Sequence, residues 1–338
     1  MNCRYCFYKA ASGERENRIM TKETVDVLIQ KIKEYQPSAL SVIFQGGEPT
    51  LAGLGFFEYF VQSVKKEINF PVSFSLQTNG LLIDDEYAKF FKTHNFLIGV
   101  SLDGNRKTND RYRLSQSGES VLPQVLTAIN ILKKHRVGFN ILSVIDNENA
   151  KDIESTYKYF KKHGFGYLQF IPYVDDASGI SLSAESYEAF LKKSFDLWYE
   201  DFINGNYVSV RHIDNYIGIL MGNPPESCAM CGVCGNYFVV EADGSLYPCD
   251  FYCKKEYRTG SVFDKKPFEM TEKQKEFIEQ SMLIHKYCKD CKYYALCRGG
   301  CRRDRTDGYL KNKYCSAYKG FFDDAAERMA QLAAKLNK

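Results

Sequence analysis

The chain has 338 residues, enough for one large domain plus a smaller one, and its formal net charge of +3 comes from interspersed signs. No basic block or stripe follows a phosphate backbone, no apolar run nears the ~20 residues of a membrane span, and no charged-then-apolar leader opens the chain. The reading is a cytoplasmic protein that engages neither nucleic acid nor membrane. Twelve cysteines are the anomaly: two stand at the N-terminus and ten between Cys228 and Cys315, a distribution that in a reducing compartment favours metal over disulfides.

The first motif is Cys3-Arg4-Tyr5-Cys6-Phe7-Tyr8, a Cys-x-x-Cys pair with two aromatics. Zinc hooks, redox dithiols and iron–sulfur loops all use that spacing. After a polar loop at 9–17, a helix is expected from Thr21, with Val25, Leu28, Ile29 and Ile32 on one face and Pro37 beyond its end. A strand at 41–44 runs into Gln45-Gly46-Gly47-Glu48-Pro49-Thr50, followed by a helix over about 54–68. The unit repeats. Strands at 72–76, 96–100, 139–145 and 167–171 open into Gln77-Thr78-Asn79-Gly80, Ser101-Leu102-Asp103-Gly104, Asp146-Asn147 and Pro172, with helices at 84–93, 121–135 and 150–163.

This alternation predicts a parallel sheet of β-α units, whose polar, Gly-containing loops follow the C-terminal strand ends where such sheets gather their sites. Taken singly, each loop reads as an ordinary βα turn; five in register favour a binding face. If the Cys3–Cys6 loop also follows a strand, that strand precedes Met1.

A helix over 184–204 carries Phe190, Phe195, Leu197 and Trp198 on a core-facing stripe and closes at Asn204-Gly205-Asn206. In the segment that follows, Arg211 and Asp214 could reach a substrate, although surface or ion-pair roles suit each; His212 has no evident partner. The late cysteines form two groups, Cys228, Cys231, Cys234, Cys249, Cys253 and Cys288, Cys291, Cys297, Cys301, Cys315. The second places five cysteines in 28 residues, more than one four-ligand site requires, so one serves another site. Spacing alone joins Cys228, Cys231 and Cys234 as a ferredoxin-like run with a distant fourth ligand. Zinc in one or both sites is the alternative.

These residues resemble the radical S-adenosylmethionine enzymes, whose cluster loop reads Cys-x-x-x-Cys-x-x-Cys plus an aromatic after the first strand of a partial (β/α)6 barrel. Cys3, Cys6 and Phe7 match the last two cysteines and the aromatic; Gly46-Gly47-Glu48-Pro49 matches the family's Gly-Gly-Glu-Pro segment. The first cysteine would fall two residues upstream of Met1, and the first strand is expected to be missing, so poor binding of the catalytic cluster is expected of the chain as written. The region from Phe238 to Cys249 and the second cysteine group resemble the SPASM domain, which carries two auxiliary iron–sulfur clusters.

The resemblance implies an α/β fold: a partial TIM-like barrel over 1–205, then a linker helix, the SPASM domain and a C-terminal helix over 206–338. It implies three [4Fe–4S] clusters and S-adenosylmethionine. Cys3 and Cys6 would hold the catalytic cluster; Gly46, Gly47 and Glu48 would line the methionine amino group, Ser101 and Asp103 would face the ribose, and Tyr8 or Phe7 would pack near the adenine. One auxiliary set would be Cys228, Cys234, Cys249 and Cys301, the other Cys288, Cys291, Cys297 and Cys315, leaving Cys231 and Cys253 spare.

Along nearly its whole length the chain is similar to anaerobic sulfatase-maturating enzymes, on Gln45-Gly-Gly-Glu-Pro-Thr-Leu-Ala-Gly-Leu, Ser75-Leu-Gln-Thr-Asn-Gly, Phe195-Asp-Leu-Trp-Tyr-Glu-Asp-Phe, Tyr247-Pro-Cys-Asp-Phe-Tyr and Cys297-Arg-Gly-Gly-Cys-Arg-Arg. That implies oxidation of a sulfatase Cys or Ser to Cα-formylglycine by hydrogen abstraction. Asp250 is the candidate base, with Gln45 and Tyr8 as substrate contacts. Implied partners are an unfolded or nascent sulfatase segment and an electron donor such as flavodoxin or ferredoxin, with the enzyme a monomer. The alternatives are another SPASM peptide maturase forming thioether or carbon–carbon crosslinks, and an inactive, metal-stabilised truncated homologue.

Overall fold

A computed structural model describes residues 1–10, 19–174, 179–306 and 310–337; the expected polar loop at 9–17 lies, from residue 11 on, outside them. Six strands form one parallel sheet in chain order: β1 (Leu40–Phe44), β2 (Val72–Thr78), β3 (Leu97–Ser101), β4 (Gly138–Ile145), β5 (Tyr167–Pro172) and β6 (Ser209–Val210). Registers such as Val42↔Phe74, Leu76↔Ile98, Val100↔Ile141 and Leu142↔Gln169 stagger the strands so that their C-terminal ends open on one side.

The helices start where capping chemistry permits. Thr21 accepts the Thr24 amide at 3.1 Å at the head of Lys22–Tyr35, which buries Val25, Leu28, Ile29 and Ile32. Asp84 likewise caps Asp85–Thr93 through the Glu86 and Tyr87 amides. The helix expected at 150–163 divides into Asn147–Lys151, capped by Asp146, and Ile153–Lys162.

β6 is an addition to the sequence reading. It pairs only two residues with β5, Tyr167↔Ser209 and Leu168↔Val210. The indole N–H of Trp198 donates to the Val208 carbonyl at 2.9 Å and so delivers the chain to that edge. Trp198 belongs to Ala184–Ile203, whose Phe190, Phe195 and Trp198 are fully buried as the apolar stripe predicts.

Beyond the sheet, Val239–Val240, Ser245–Tyr247 and Gly260–Ser261 form a small antiparallel sheet. Its first turn is held by Asp243, which accepts from the Ser245 amide and hydroxyl at 2.8 and 2.9 Å. The last helix, Cys315–Leu336, returns along Ala184–Ile203, with the Phe195 and Phe321 ring centroids 6.0 Å apart. One hydrophobic core therefore runs from the barrel into the cysteine-rich region. Among the described residues no helix is long and apolar enough to cross a membrane.

Candidate active site

The N-terminal loop is fastened to the segment after β3. The Asn2 amide donates to the Leu114 carbonyl at 2.8 Å and the Arg4 amide to Tyr112 at 3.1 Å. Between these bonds the Tyr5 side chain turns inward, 8% exposed, with its ring 5.8 Å from that of Tyr112. Its hydroxyl donates to Asp103 and accepts from Arg113 Nη1 at 3.0 Å. The second Asp103 oxygen accepts the Val144 amide at 2.9 Å.

Asp103, at 1% exposure, has its carboxylate bracing the loop of Cys3 and Cys6 through Tyr5. Burial raises the Asp103 pKa, and the Arg113 guanidinium opposes that rise. The Cys3 thiol is raised by burial too, again against Arg113, so a fixed cation favours thiolate at a candidate ligand. Ser101, the other expected ribose contact, ends β3 half-buried.

At the end of β1, Glu48 is locked in one orientation. One carboxylate oxygen accepts from the Thr50 amide at 3.1 Å, the Thr50 hydroxyl and the Thr78 hydroxyl at 2.7 Å; the other accepts the Asn79 amide at 2.8 Å. Gly46, at φ +137°, and Gly47 have open space where side chains would stand. An acid fixed beside bare backbone suits an ammonium-bearing ligand, as expected for the methionine end of S-adenosylmethionine.

Gln45 Nε2 donates to Asp250 Oδ2 at 3.1 Å, and Asp250 Oδ1 accepts from the Cys249 thiol at 3.4 Å. The Phe7 ring stands 4.3 Å from Tyr8 and 4.7 Å from Phe251. The structure therefore brings the N-terminal loop, the β1 end and the Asp250 loop together. It does not bring Arg211 or Asp214 there: Arg211 donates to Gln169 at 2.9 Å, and Asp214 accepts from Tyr207 and Ser209. His212 is packed between Phe170 and Phe190.

All twelve cysteines are free. Tyr237 links Cys228, at 3.7 Å, with Cys249, to which its hydroxyl donates; burial raises Cys234 and Cys301, and the charge of Cys228 adds a smaller rise to each. Cys288 is raised by burial and by Cys315 and Cys291; Cys297 is pushed up to about 11 by burial and by the same three neighbours' charge. These neighbours gather Cys228, Cys234, Cys249 and Cys301, with Cys231 also beside Cys228, apart from Cys288, Cys291, Cys297 and Cys315. The remaining thiols turn to backbone, Cys231 to the Pro225 and Ser227 carbonyls and Cys253 to that of Cys249.

Among the described residues no three Cys, His, Asp or Glu stand close enough to hold a single metal ion, although the thiols of each set feel one another's charge.

Two features here have no local sequence signal. Arg305 donates to the carbonyls of Gly232, Gly299, Gly300, Ser281 and Leu283 at 2.6–3.1 Å, drawing together backbone from both sets. Gly232, at φ +74°, lets the Arg298 carbonyl approach to 2.2 Å from where a Cβ would stand. Tyr5, Arg113, Tyr237 and Arg305 all act across separations that periodicity and spacing do not report.

A parallel sheet whose strand ends face a thiol loop, with two groups of free thiols beyond, has the make-up of an α/β iron–sulfur enzyme. Residues 1–160 match the family model of the Radical SAM superfamily. The chain is 39% identical, over 99% of its length and 94% of the relative's, to the cysteine-type anaerobic sulfatase-maturating enzyme of Clostridium novyi (strain NT). It is 30% identical to the serine-type enzyme of Klebsiella aerogenes, over 99% of this chain and 84% of that one. The solved structure described as "Native anSMEcpe with bound AdoMet" superposes with a TM-score of 0.94 at 41% identity, covering 99% of this chain and 96% of that one. The chain belongs to the anaerobic sulfatase-maturating enzymes of the radical SAM superfamily. It is a radical SAM oxidoreductase that uses [4Fe–4S] clusters and S-adenosylmethionine to convert a sulfatase residue to Cα-formylglycine.

Proposed function

We propose that the chain is a cysteine-type enzyme in which Asp250 takes the thiol proton of the target cysteine. The single observation behind this is the Gln45–Asp250 hydrogen bond of 3.1 Å, which aims a carboxylate from the cysteine-rich region at the barrel's strand ends. The Cys specificity is supported by higher identity to the cysteine-type relative, 39% against 30% for the serine-type one. A related structure is described with AdoMet and the Cp18Cys peptide, at a TM-score of 0.93.

Cys3 and Cys6 would bind the catalytic cluster, with Gly46, Gly47 and Glu48 at the S-adenosylmethionine amino group, Ser101 at the ribose side and Tyr8 near the adenine or the peptide. Cys228, Cys234, Cys249 and Cys301 would hold one auxiliary cluster; Cys288, Cys291, Cys297 and Cys315 would hold the other. When bound, these groups supply a hydrogen-abstracting 5′-deoxyadenosyl radical and an acceptor for one electron. The chain's own residues then have defined tasks. Gln45 orients Asp250, Glu48 fixes the amino end of the cosubstrate, and Phe7 with Tyr8 closes the apolar wall between loop and barrel.

The oxidation balances: the target Cβ loses a hydrogen atom to the 5′-deoxyadenosyl radical, its sulfur loses a proton to Asp250, and one electron leaves to an auxiliary cluster, giving a thioaldehyde that water converts to aldehyde with release of hydrogen sulfide. We infer further that the protein works as a monomer in the reducing cytoplasm, where its free thiols persist, on an extended sulfatase segment and with flavodoxin or ferredoxin as donor. Asp250→Asn should leave S-adenosylmethionine cleavage intact while abolishing aldehyde from a Cys-containing sulfatase-motif peptide, read by mass. Aldehyde at the normal rate would show that Asp250 is not the base.

A further inference from the structure

Arg303 belongs to none of the roles above. Its guanidinium carbon lies 4.0 Å from the ring centroid of Phe251, which in turn meets Phe7 at 4.7 Å with the rings tilted by 42°, so a cation closes a column that begins at the catalytic loop. On its other side Arg303 donates through Nε and Nη2 to Asp304 Oδ1, both at a long 3.4 Å, and its side chain is only 16% exposed.

The position in the chain gives the stack its meaning. Arg303 follows Cys301 by two residues and Phe251 follows Cys249 by two, and these are two thiols of one set. The guanidinium opposes the burial-driven rise of the Cys301 thiol, its backbone amide bonds the same sulfur, and Cys249 lies within its electrostatic reach. A nearly enclosed cation beside a cluster that gains negative charge on reduction stabilises the reduced form, because the low local dielectric leaves the attraction poorly screened. Asp304 offsets part of this charge. A planar guanidinium on an aromatic face also restrains the ring, which lysine does less well.

We propose that Arg303 is a positioning residue with two effects: its charge raises the reduction potential of the auxiliary cluster held by Cys228, Cys234, Cys249 and Cys301, and its stack on Phe251 holds the Asp250 loop against the catalytic loop. This rests on the reading that this cluster accepts the electron released when the target cysteine is oxidised. One electron leaves the substrate carbon radical as the carbon–sulfur double bond forms, the thiol proton goes to Asp250, and the cluster is reduced by that electron.

Two substitutions separate the effects. In the reconstituted full chain carrying Cys3→Ala and Cys6→Ala, so that only auxiliary signals remain, EPR-monitored redox titration should show a more negative potential for Arg303→Gln and a near-native one for Arg303→Lys. In the otherwise unsubstituted enzyme both variants should release more 5′-deoxyadenosine per aldehyde formed. An unchanged potential in iron-replete Arg303→Gln overturns the charge effect, and an unchanged product ratio in Arg303→Lys overturns the stacking effect. Failure of both variants to load auxiliary iron would make Arg303 a brace for the ligand loop and would also overturn the proposal. Absence of aldehyde from the parent enzyme would count against the substrate reading and leave the potentials still decisive.

Discussion

Replacing Tyr5 by Phe tests how the cluster loop is held. The ring and its contact with Tyr112 survive, while the hydroxyl that donates to Asp103 and accepts from Arg113 is lost. Hydrogen bonds to charged groups contribute about 1.5–3 kcal/mol each, so the pair amounts to about 3–6 kcal/mol. Among the described residues the buried Nε of Arg113 already has no hydrogen-bond partner, so losing the Tyr5 hydroxyl leaves this guanidinium further under-satisfied. Direct closure of Asp103 on Arg113 recovers part of the loss, leaving about 2–3 kcal/mol.

The loss is local, because two backbone bonds tie residues 2 and 4 to residues 114 and 112. At about 1.4 kcal/mol per tenfold, amide hydrogen exchange at Arg4 should accelerate about 30- to 150-fold while exchange within β2 to β4 stays unchanged. Iron retained at the Cys3–Cys6 loop should fall in parallel. Arg4 exchange within a factor of about 3 of the parent protein would refute the bracing role.

Glu48→Gln should weaken S-adenosylmethionine binding, measured by equilibrium dialysis, and lower stability by about 1–3 kcal/mol, because the new amide must face the Asn79 or Thr50 donors. Gly232→Ala combines a positive φ with a collision against the Arg298 carbonyl; iron per chain should fall by up to a full auxiliary cluster, read by colorimetric iron assay. His212 has its pKa lowered to about 4 by burial, and its Nε2 has no partner. The unfolded chain therefore binds the extra proton first as pH falls below about 6.5, and stability is full above that pH and lost toward pH 4, by at most about 3 kcal/mol. His212→Leu should flatten that slope in urea titrations followed by the single tryptophan, Trp198.

Five of the six strands are legible because each is a run of five to eight residues ending in Gly, Asn, Asp or Pro turn chemistry. β6 is not, since two residues carry no periodicity and its place depends on Trp198 holding Val208. At the site, the Gly46-Gly47-Glu48 cradle is readable as a motif. The Tyr5–Asp103–Arg113 network is invisible to any window, its partners lying 98 and 108 residues from Tyr5. The resemblance points to Asp103 on the ribose side, but its burial beneath the N-terminal loop has no signal in the sequence. Spacing alone joins Cys231 to Cys228 and Cys234; in the structure its thiol feels the Cys228 charge and turns to the Pro225 and Ser227 carbonyls, which no spacing reports.

The two thiol sets interleave along the chain. The set that begins at Cys228 closes only with Cys301, after Cys288, Cys291 and Cys297 of the other set have been made, and that other set closes at Cys315, the first residue of the helix that docks on Ala184–Ile203. With the proposed ligand sets, synthesis completes the first cluster site only at Cys301, and the second waits for Cys315, the residue that starts the final helix. Unravelling that helix from its far end leaves every thiol in place, whereas a single cut between Cys297 and Cys301 severs both sets at once.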